Sequence, residues 1–262
     1  MKLNKESRVT VVVGGARGIG YAAARLLADE GAKIVLVDLD EARVQQSAHT
    51  LATETGIEAI GLRADITSME DVQAMTDKVV ARFGRIDALI NSAAVLDDKL
   101  FLDSRPADWQ RMINVCLYGP MNCLHVILPL MTKQGYGRVV CMASDSARLG
   151  QARLSYYAAA KAAVTALVKS IAQEVGANGV TLNIVSPGAT NTELRQEREE
   201  SMRKQMGEEK YARRVQAVLK MYPMRRVGEP DDVGAMVAFL ASERAAWMTG
   251  QIVSVNGGFA MP

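Results

Sequence analysis

The chain carries a glycine-rich turn near its start, Gly14-Gly15-Ala16-Arg17-Gly18-Ile19-Gly20. It follows directly on the β-branched run 9–13 and opens a segment, 19–30, whose apolar residues recur at helical spacing. Glycines at 14, 18 and 20 allow the backbone to turn tightly and to approach a bound group closely. The start of the helix adds free N–H groups and a positive partial charge. This strand–turn–helix context predicts a loop that binds the pyrophosphate of a dinucleotide, with Arg17 and Ile19 beside the glycines.

Strand and helix patterns alternate along the rest of the 262-residue chain. Further strands are predicted at 33–37, 57–62, 86–90, 138–142, 180–185 and 251–255. Helices are predicted at 41–55, in the stretch that ends at 83, and at 108–131, 155–176 and 231–240. The strand runs are nearly all apolar, which is typical of a parallel sheet covered by helices on both faces. We therefore expect an α/β protein with a Rossmann fold: one domain, 1–262, around a doubly wound, seven-stranded parallel sheet.

The composition is that of a packed globular protein, with 49% hydrophobic residues and a formal net charge of +2. This near-neutral balance indicates no general affinity for nucleic acid or for a membrane surface. No run of about 18 apolar residues is present. The glycine-rich turn also starts too early to leave room for a signal peptide, so we expect a cytoplasmic protein without a spanning helix. The three cysteines and two histidines lack metal-ligand spacing, which predicts that no metal is bound.

The stretch 193–220 departs from the rest of the chain, because it is highly charged and rich in Arg, Glu and Met. We expect a helical excursion from the core, either a solvated hairpin or a lid over the substrate. Four of its basic residues either bind substrate phosphates or pair with neighbouring glutamates on the helix surface. The basic residues are Arg195, Arg198, Arg203 and Lys204, and the glutamates are Glu197, Glu199 and Glu200.

Asp38 ends the second predicted strand. A carboxylate at this place can accept hydrogen bonds from both ribose hydroxyls of an adenosine and repels a 2′-phosphate. Arg17 favours the opposite choice, since it can pair with that phosphate, but Leu39 supplies no basic partner directly after the carboxylate. Together these residues predict NAD, with NADP as the alternative.

Tyr157 and Lys161 lie four residues apart at the start of an Ala-rich predicted helix, so they share one face of it. Ser144 follows the fifth predicted strand, at the carboxyl edge where ligands bind. A tyrosine with a pKa near 10 is a poor base until a nearby ammonium stabilises the phenolate. A serine hydroxyl can hold the substrate oxygen. The three side chains therefore suggest proton transfer at an alcohol or carbonyl, whereas a Tyr/Lys pair alone is also common on helix surfaces.

The chain resembles the short-chain dehydrogenases/reductases over essentially its whole length. Its glycine-rich turn matches their TGxxxGxG loop at Gly14, Gly18 and Gly20. The other matching segments are Asp65-Ile66, which the family places against the adenine ring; Asn91-Ser92-Ala93-Ala94, its NNAG segment; Asn114; Ser144; the YxxxK pair Tyr157 and Lys161; and Pro187-Gly188-Ala189-Thr190-Asn191-Thr192, its PGxxxT segment near the nicotinamide. The cofactor contacts implied by these matches are Asp65, Ile66, Asn91, Ala93, Tyr157, Lys161, Pro187, Gly188, Thr190 and Thr192.

The resemblance also implies a division of labour. Tyr157 would be the general acid/base, Lys161 would lower its pKa and hold the nicotinamide ribose, and Ser144 would polarise the substrate oxygen. Asn114 would anchor a water chain from Lys161 to solvent, while Tyr156 is followed four residues later by an alanine and so is not the catalytic tyrosine.

Three residues depart from the family pattern. Val13 replaces a threonine of the first loop, and Ser92 and Ala94 replace an asparagine and the glycine of the NNAG segment. All three lie in supporting positions, so we expect altered loop packing without loss of activity.

The substrate is indicated by a narrower resemblance. The segment Ser144-Asp145-Ser146-Ala147-Arg148 is similar to the same stretch of 2-hydroxycyclohexanecarboxyl-CoA dehydrogenases. It favours NAD-dependent oxidation of a secondary alcohol, with a cyclic or aryl-substituted β-hydroxyacyl-CoA as candidate substrate. The alternatives are a 3-oxoacyl thioester reductase that uses NADPH, and a non-catalytic redox-sensing or structural subunit. The family further implies a homotetramer formed through the helices at 108–131 and 155–176.

Overall fold

The computed structural model describes residues 7–261, in which seven strands form a single sheet. The strands are β1 (Val9–Val13), β2 (Lys33–Asp38), β3 (Ala59–Arg63), β4 (Ala88–Asn91), β5 (Gly137–Met142), β6 (Val180–Pro187) and β7 (Ile252–Val255). All neighbouring strands pair in parallel, in the order β3–β2–β1–β4–β5–β6–β7. The predicted doubly wound parallel sheet is therefore confirmed.

Ten α-helices connect the strands within the described residues. They are α1 (Gly18–Asp29), α2 (Glu41–Thr55), α3 (Met69–Phe83), α4 (Pro106–Ile113), α5 (Gly119–Gln134), α6 (Ser146–Leu149), α7 (Ser155–Val175), α8 (Glu193–Met206), α9 (Glu208–Met221) and α10 (Pro230–Leu240). Helices α1, α2 and α10 cover one face of the sheet, and α3, α5 and α7 cover the other.

The two cores explain the unbroken apolar strand runs. Successive side chains of a strand point to opposite faces. Val11 and Val13 therefore pack with α3, α5 and α7, whereas Val12 packs with α1, α2 and α10. Burial of a valine side chain stabilises the fold by roughly 1.5–3 kcal/mol. Because both faces of the sheet are covered, this gain is available at every position of a central strand.

The predicted helix at 108–131 is longer than expected and irregular. It runs from Pro106 to Gln134 and contains one π-helical turn, Asn114–Tyr118, between α4 and α5. Pro120 has no N–H to donate to the carbonyl four residues earlier, so the regular hydrogen-bond pattern cannot continue through this point. In the π-helical turn, the Gly119 N–H donates instead to the Asn114 carbonyl.

The same segment corrects the expectation that no stretch could span a membrane. Pro106–Gln134 is long and apolar enough to do so, with a mean hydropathy of 1.4 over its most apolar window. Half of that window is buried inside the protein, however, and α5 packs Cys123, Leu124 and Ile127 in the core. A core helix meets the same criterion.

The charged stretch 193–220 folds as the hairpin α8–α9, joined at Gly207. Gly207 has a φ of +80°, a conformation that glycine adopts without a steric penalty. The hairpin stands between β6 and β7 in the chain and covers one side of the sheet's carboxyl edge. Other predicted boundaries differ by a few residues; β3, for example, starts at Ala59 because Gly56 ends α2 in the left-handed region.

Candidate active site

A cavity of about 710 Å³ opens at the carboxyl ends of the strands. This is the expected place, because β1 and β4 are neighbours and the chain leaves β1 toward β2 but returns on its other side. The volume lies within the roughly 300–1,000 Å³ usual for small-molecule sites. We call it the central cavity.

Most of the predicted site residues line the central cavity. They are Gly14, Arg17, Gly18, Ile19, Asp38, Asp65, Ile66, Ala93, Ser144, Tyr157, Lys161, Pro187, Gly188, Thr190 and Thr192. Gly20, Asn91 and Asn114 are absent from its wall. The sequence therefore located the site correctly but placed three side chains in it that have other neighbours.

The glycine-rich turn has the geometry of a phosphate cradle. Gly14 has a φ of +71°, and a Cβ there would lie 2.5 Å from the Ala93 nitrogen. Helix α1 begins at Gly18, and no side chain caps its N-terminus, so its first N–H groups remain available to an anion. Gly20 acts differently from the prediction: a Cβ at this position would lie 2.3 Å from the Gly14 carbonyl oxygen, so this glycine lets α1 pack under the turn.

Asp38 stands on the cavity wall at the end of β2. Its Oδ1 accepts a hydrogen bond from the Leu39 N–H at 2.9 Å, and its Oδ2 accepts one from the Ala16 N–H at 3.4 Å. These backbone donors hold the carboxylate in place beside the glycine-rich turn. Arg17, the basic residue of the turn, forms an ion pair with Glu197 of α8, with a nitrogen–oxygen distance of 2.5 Å.

Asp65 and Ile66 form the next part of the wall, after β3. The Asp65 Oδ1 accepts hydrogen bonds from the Thr67 N–H and hydroxyl, which folds the carboxylate back on its own turn. Ile66 is buried, and a Cβ on Gly119 would lie 2.5 Å from its Cδ1. The side chain of Ile66 is thus held by α5 from behind.

Asn91 lies beneath the cavity wall. It is the last residue of β4, a central strand, and its side chain is buried with Nδ2 3.6 Å from the Cys141 sulfur. Its Oδ1 is among the buried polar atoms without a hydrogen-bond partner. The neighbouring segment is tied to the first loop through the backbone, since the Ser92 N–H donates to the Val13 carbonyl at 2.9 Å. This bond needs no side-chain hydroxyl, which explains how Val13 is accommodated.

Ser144, Tyr157 and Lys161 meet at the middle of the cavity. Lys161 is buried on α7, where its Nζ donates to the Met142 carbonyl at 2.9 Å and lies 5.9 Å from the centre of the Tyr157 ring. The Ser144 Oγ accepts a hydrogen bond from the Ser146 hydroxyl at 2.9 Å. A hydroxyl, a phenol and an ammonium are therefore within reach of one substrate oxygen.

Tyr157 is in its neutral form in this environment. Burial raises the pKa of Tyr157 above its ordinary value, and the Cys116 thiol adds to the increase. The Ser144 hydroxyl and the Arg198 charge lower the pKa, but less strongly. The expected effect of Lys161 is missing, because the ammonium is hydrogen-bonded to the Met142 carbonyl rather than directed at the phenol. Tyr157 is thus a proton donor at neutral pH.

Asn114 and Tyr156 lie away from the reacting groups. The Asn114 Oδ1 accepts a hydrogen bond from the Gln110 amide at 2.7 Å, within the irregular helix. Tyr156 is buried against Met112, and its hydroxyl donates to Asp97 at 3.2 Å. The structure therefore separates the two adjacent tyrosines as the spacing predicted, but it does not bring Asn114 into the cavity.

Asp145 was not predicted from the sequence as a site residue. It lines the cavity beside Ser144 and is only 2% exposed. Its Oδ1 accepts from the Ser186 hydroxyl at 2.7 Å and its Oδ2 from the Asn256 amide at 2.6 Å. A carboxylate directly after the serine was the only available signal, because Ser186 and Asn256 come from β6 and from the turn after β7.

The α8–α9 hairpin forms another unpredicted part of the wall. Leu194, Val218 and Met221 face the cavity together with Tyr222 and Phe259, whose rings stack with centroids 5.1 Å apart. Further apolar residues of the wall are Val95, Leu96 and Leu154. This side of the cavity suits an apolar substrate body.

The hairpin combines both interpretations of the charged stretch. Arg195 and Arg198 line the cavity. Arg203 and Lys204 instead pair on the surface with glutamates of the hairpin, as the surface alternative had it.

Comparison with known proteins identifies the family. A family model described as enoyl-(acyl carrier protein) reductase matches residues 14–260. The chain belongs to the short-chain dehydrogenase/reductase family. An uncharacterised short-chain type dehydrogenase/reductase of Sinorhizobium fredii is 34% identical over 254 residues, which cover 95% of this chain and 96% of that protein.

Two characterised members of the short-chain dehydrogenase/reductase family are also similar. The 3-oxoacyl-(acyl-carrier-protein) reductase of Vibrio cholerae is 34% identical over 99% of this chain and 100% of its own length. The crystal structure of levodione reductase superposes with a TM-score of 0.90 at 31% identity, covering 97% of each chain. The protein is thus an oxidoreductase that acts on hydroxyl or keto groups.

The residues present fit the nicotinamide cofactor that this family uses. The uncapped start of α1 can hold the pyrophosphate, and Asp38 can hold the adenosine ribose. Tyr157 and Lys161 lie at the other end of the same cavity, beside Pro187-Gly188. When bound, the cofactor supplies the hydride acceptor or donor of the reaction.

Proposed function

We propose that the protein oxidises a secondary alcohol to a ketone with NAD. The observation that carries the choice of cofactor is Asp38, a carboxylate held by backbone N–H groups on the wall where an adenosine ribose would bind. A 2′-phosphate would meet this negative charge, and Arg17 is already paired with Glu197.

Three side chains would handle the substrate oxygen. The Ser144 hydroxyl donates a hydrogen bond to it, and the Tyr157 phenolate takes the hydroxyl proton during oxidation. In the reverse direction, the neutral Tyr157 returns that proton to the carbonyl oxygen. Because burial raises the pKa of Tyr157, the phenolate is scarce at neutral pH.

A pH profile tests this assignment. We expect kcat/KM for oxidation to rise with pH through the neutral range, by up to about tenfold per pH unit for one ionisation. The rate of carbonyl reduction should be flat over the same range. An oxidation rate that is independent of pH between 6 and about 9 would contradict the role of Tyr157.

The cofactor choice is tested with Asp38→Ser. We expect the wild-type protein to prefer NAD over NADP in kcat/KM, and the variant to lose roughly tenfold or more of that preference, about 1.4 kcal/mol. Asp40→Asn is the matched control, because Asp40 lines the same wall but caps α2 through the Arg43 N–H, a role that asparagine also fills. A wild-type preference for NADP would exclude the assignment.

A second candidate is reduction of a 3-oxoacyl thioester with NADPH. It is supported by the names of the Vibrio cholerae relative and of the matching family model. The apolar wall around Tyr222 and Phe259 favours the first candidate, in particular a cyclic or aryl-substituted β-hydroxyacyl-CoA. Turnover of acetoacetyl-CoA with NADPH, compared with oxidation of hydroxycyclohexane substrates by NAD, distinguishes the two.

We also propose that the protein forms a homotetramer. Tyr118 and Met121 are large apolar side chains exposed on the helix that contains α4 and α5, and they provide surface for a second copy. Light scattering after size-exclusion chromatography measures the mass in solution. A monomeric mass would refute the assembly, and the cytoplasmic location stays a prediction.

A further inference from the structure

Four arginines and two carboxylates form a compact group at the hairpin side of the central cavity. We call this group the basic cluster, and its members are Arg153, Arg195, Arg198, Arg214, Asp98 and Glu199. Arg195, Arg198, Glu199 and Arg214 line the cavity itself. The proposal developed from this cluster rests on the proposed function, because it specifies the substrate of the same site.

Asp98 holds one half of the basic cluster together. Its Oδ1 accepts from the Arg153 guanidinium and its Oδ2 from the Arg198 guanidinium. Arg153 lies shortly before the catalytic tyrosine in the chain, and Arg198 lies on α8. The carboxylate therefore joins the hairpin to the region where α7 begins.

Glu199 holds the other half less completely. Its Oε2 accepts from Arg214 at 2.8 Å and from the Tyr211 hydroxyl at 3.2 Å. Its Oε1 lies 3.3 Å from the Arg195 guanidinium, but no hydrogen bond of good geometry reaches this buried oxygen. Arg195 is thus the least firmly bound guanidinium of the cluster.

The charges in the basic cluster do not balance. Four guanidiniums share two carboxylates, which leaves a formal excess of two positive charges. The side chains of Arg195 and Arg198 are only 19% and 20% exposed, so solvent screens this excess incompletely. Other acidic side chains of α8 act elsewhere: Glu197 pairs with Arg17, and Glu193 lies beside Gly18.

We infer that Arg195, Arg198 and Arg214 form a subsite for an anionic group, a carboxylate or a phosphate, carried by the substrate. Each guanidinium has five donors in a planar fork, which matches either oxyanion in a bidentate manner. Leu194, Val218 and Met221 come from the same two helices and supply apolar contacts. The substrate is therefore an alcohol with an apolar body and an anionic end.

The location of the subsite relates it to the chemistry. The Arg198 charge is close enough to lower the pKa of Tyr157, so the anion binds within electrostatic range of the reacting oxygen. Since Arg195 and Arg198 both belong to α8, an anion bound to them would also hold the hairpin against the cavity. Binding of the anionic end would thus position the alcohol and close this side of the site.

Two matched pairs of substrates test the subsite and identify the anion. The first pair is 3-hydroxycyclohexanecarboxylate and its methyl ester; the second is 3-hydroxybutyryl-CoA and the N-acetylcysteamine thioester of the same acid. Formation of NADH is measured with each. We expect the wild-type protein to prefer the anionic member of one pair by about tenfold or more in kcat/KM, since charged hydrogen bonds contribute roughly 1.5–3 kcal/mol. Preference in the first pair indicates a carboxylate, and preference in the second indicates a phosphate.

The variant for this test is Arg195→Gln, and its control is Arg213→Gln. Arg213 lies on α9 outside the cavity and pairs only at the surface with Glu209. We expect Arg195→Gln to raise KM for the anionic substrate about tenfold and to leave the neutral member within about twofold. Arg213→Gln should change neither. Equal use of both members by the wild-type protein, or equal losses in the two variants, would overturn the subsite.

Isothermal titration calorimetry separates the subsite from the proposed oxidation. Cyclohexanecarboxylate and coenzyme A are titrated into the wild-type protein and Arg195→Gln in the presence of NADH. Binding that the variant loses supports the subsite even if no alcohol is oxidised, in which case the proposed function alone fails. If neither compound binds the wild-type protein, the subsite is refuted whatever the outcome of the turnover assays.

Discussion

The two ends of the central cavity are built in different ways. The end near β1 and β2 consists of backbone N–H groups, glycines and one short carboxylate, all at the ends of buried strands. The end near the hairpin consists of long charged side chains on α8 and α9, and α9 has no buried residue. The first end suits a ligand that is always the same, and the second can change its specificity by surface substitutions.

The same contrast separates rigid from adjustable parts. A Cβ on Gly14 or Gly20 would collide with backbone atoms, so the shape of the glycine-rich turn leaves no room for change. The hairpin is held by ion pairs such as Arg198–Asp98 and Arg17–Glu197, which can break and re-form. We therefore expect substitutions at the first end to affect folding and cofactor binding, and those at the second to affect substrate and motion.

Tyr157→Phe should have the largest effect, because the hydroxyl lies between the two ends and serves both. We expect kcat to fall by about 10²–10⁴-fold, the usual contribution of a general acid or base. Affinity for the cofactor should change little, since both ends remain intact. Steady-state kinetics and a cofactor titration measure the two quantities.

The matched control is Tyr156→Phe. Tyr156 loses one hydrogen bond to Asp97 and should lose about 1 kcal/mol of stability with its turnover retained. Equal losses of activity in the two variants would show that the adjacent tyrosines are not separated as described.

Gly14→Ala tests the rigid end. A left-handed φ costs an alanine about 1–2 kcal/mol, and here its Cβ would also lie 2.5 Å from the Ala93 nitrogen. We expect a lower Tm and weaker binding of NAD, both measured by thermal denaturation with and without the cofactor. Gly56→Ala is the control, since Gly56 has a φ of +73° with no atom within 4 Å of the added Cβ. A control that destabilises the protein as much as Gly14→Ala would contradict the cradle.

Asp98→Asn tests the adjustable end and should have the smallest effect. The variant weakens two ion pairs, and we expect about 1–2 kcal/mol less protection of α8 and α9 in hydrogen exchange. Glu209→Gln removes an exposed pair on α9 and should cost about 0.3–0.5 kcal/mol or less. Unchanged exchange in Asp98→Asn would mean that the hairpin is held by its apolar contacts alone.

The Asp98 contact also depends on pH. Burial raises the pKa of Asp98, but the hydrogen bonds from Arg153 and Arg198 outweigh it and hold the pKa below its usual range. Its contribution is therefore complete above the unfolded-state pKa of about 3.9 and is lost as the pH falls through the lower folded-state pKa. Acid should loosen the hairpin of the wild-type protein but not further loosen that of Asp98→Asn.

Local chemistry accounts for what the sequence predicted well. A buried strand followed by glycines and a helix leaves few structural choices, and the spacing of Tyr157 and Lys161 places both on one helix face. These features depend on residues near one another in the chain. The sheet, the glycine-rich turn and most of the cavity wall followed from them.

The errors lie where contacts between distant segments decide the outcome. Asn91 follows a strand as expected, but its side chain is enclosed beneath the cavity wall beside Cys141 of β5. Asn114 lies in a turn that Pro120 makes π-helical, and its side chain bonds to Gln110. Neither neighbourhood is visible in a linear motif.

The sequence by itself determined the Rossmann fold, the cofactor cradle and the reacting groups, because each depends on strand period, helix period or the conformational freedom of glycine. Only the tertiary structure decided the environment of those groups. Burial makes Tyr157 a neutral acid, and Asp145 and Asp98 acquire their roles from partners that lie 41 to 111 residues away in the chain. Long-range packing and charge pairing thus shape the substrate end, whereas local backbone geometry shapes the cofactor end.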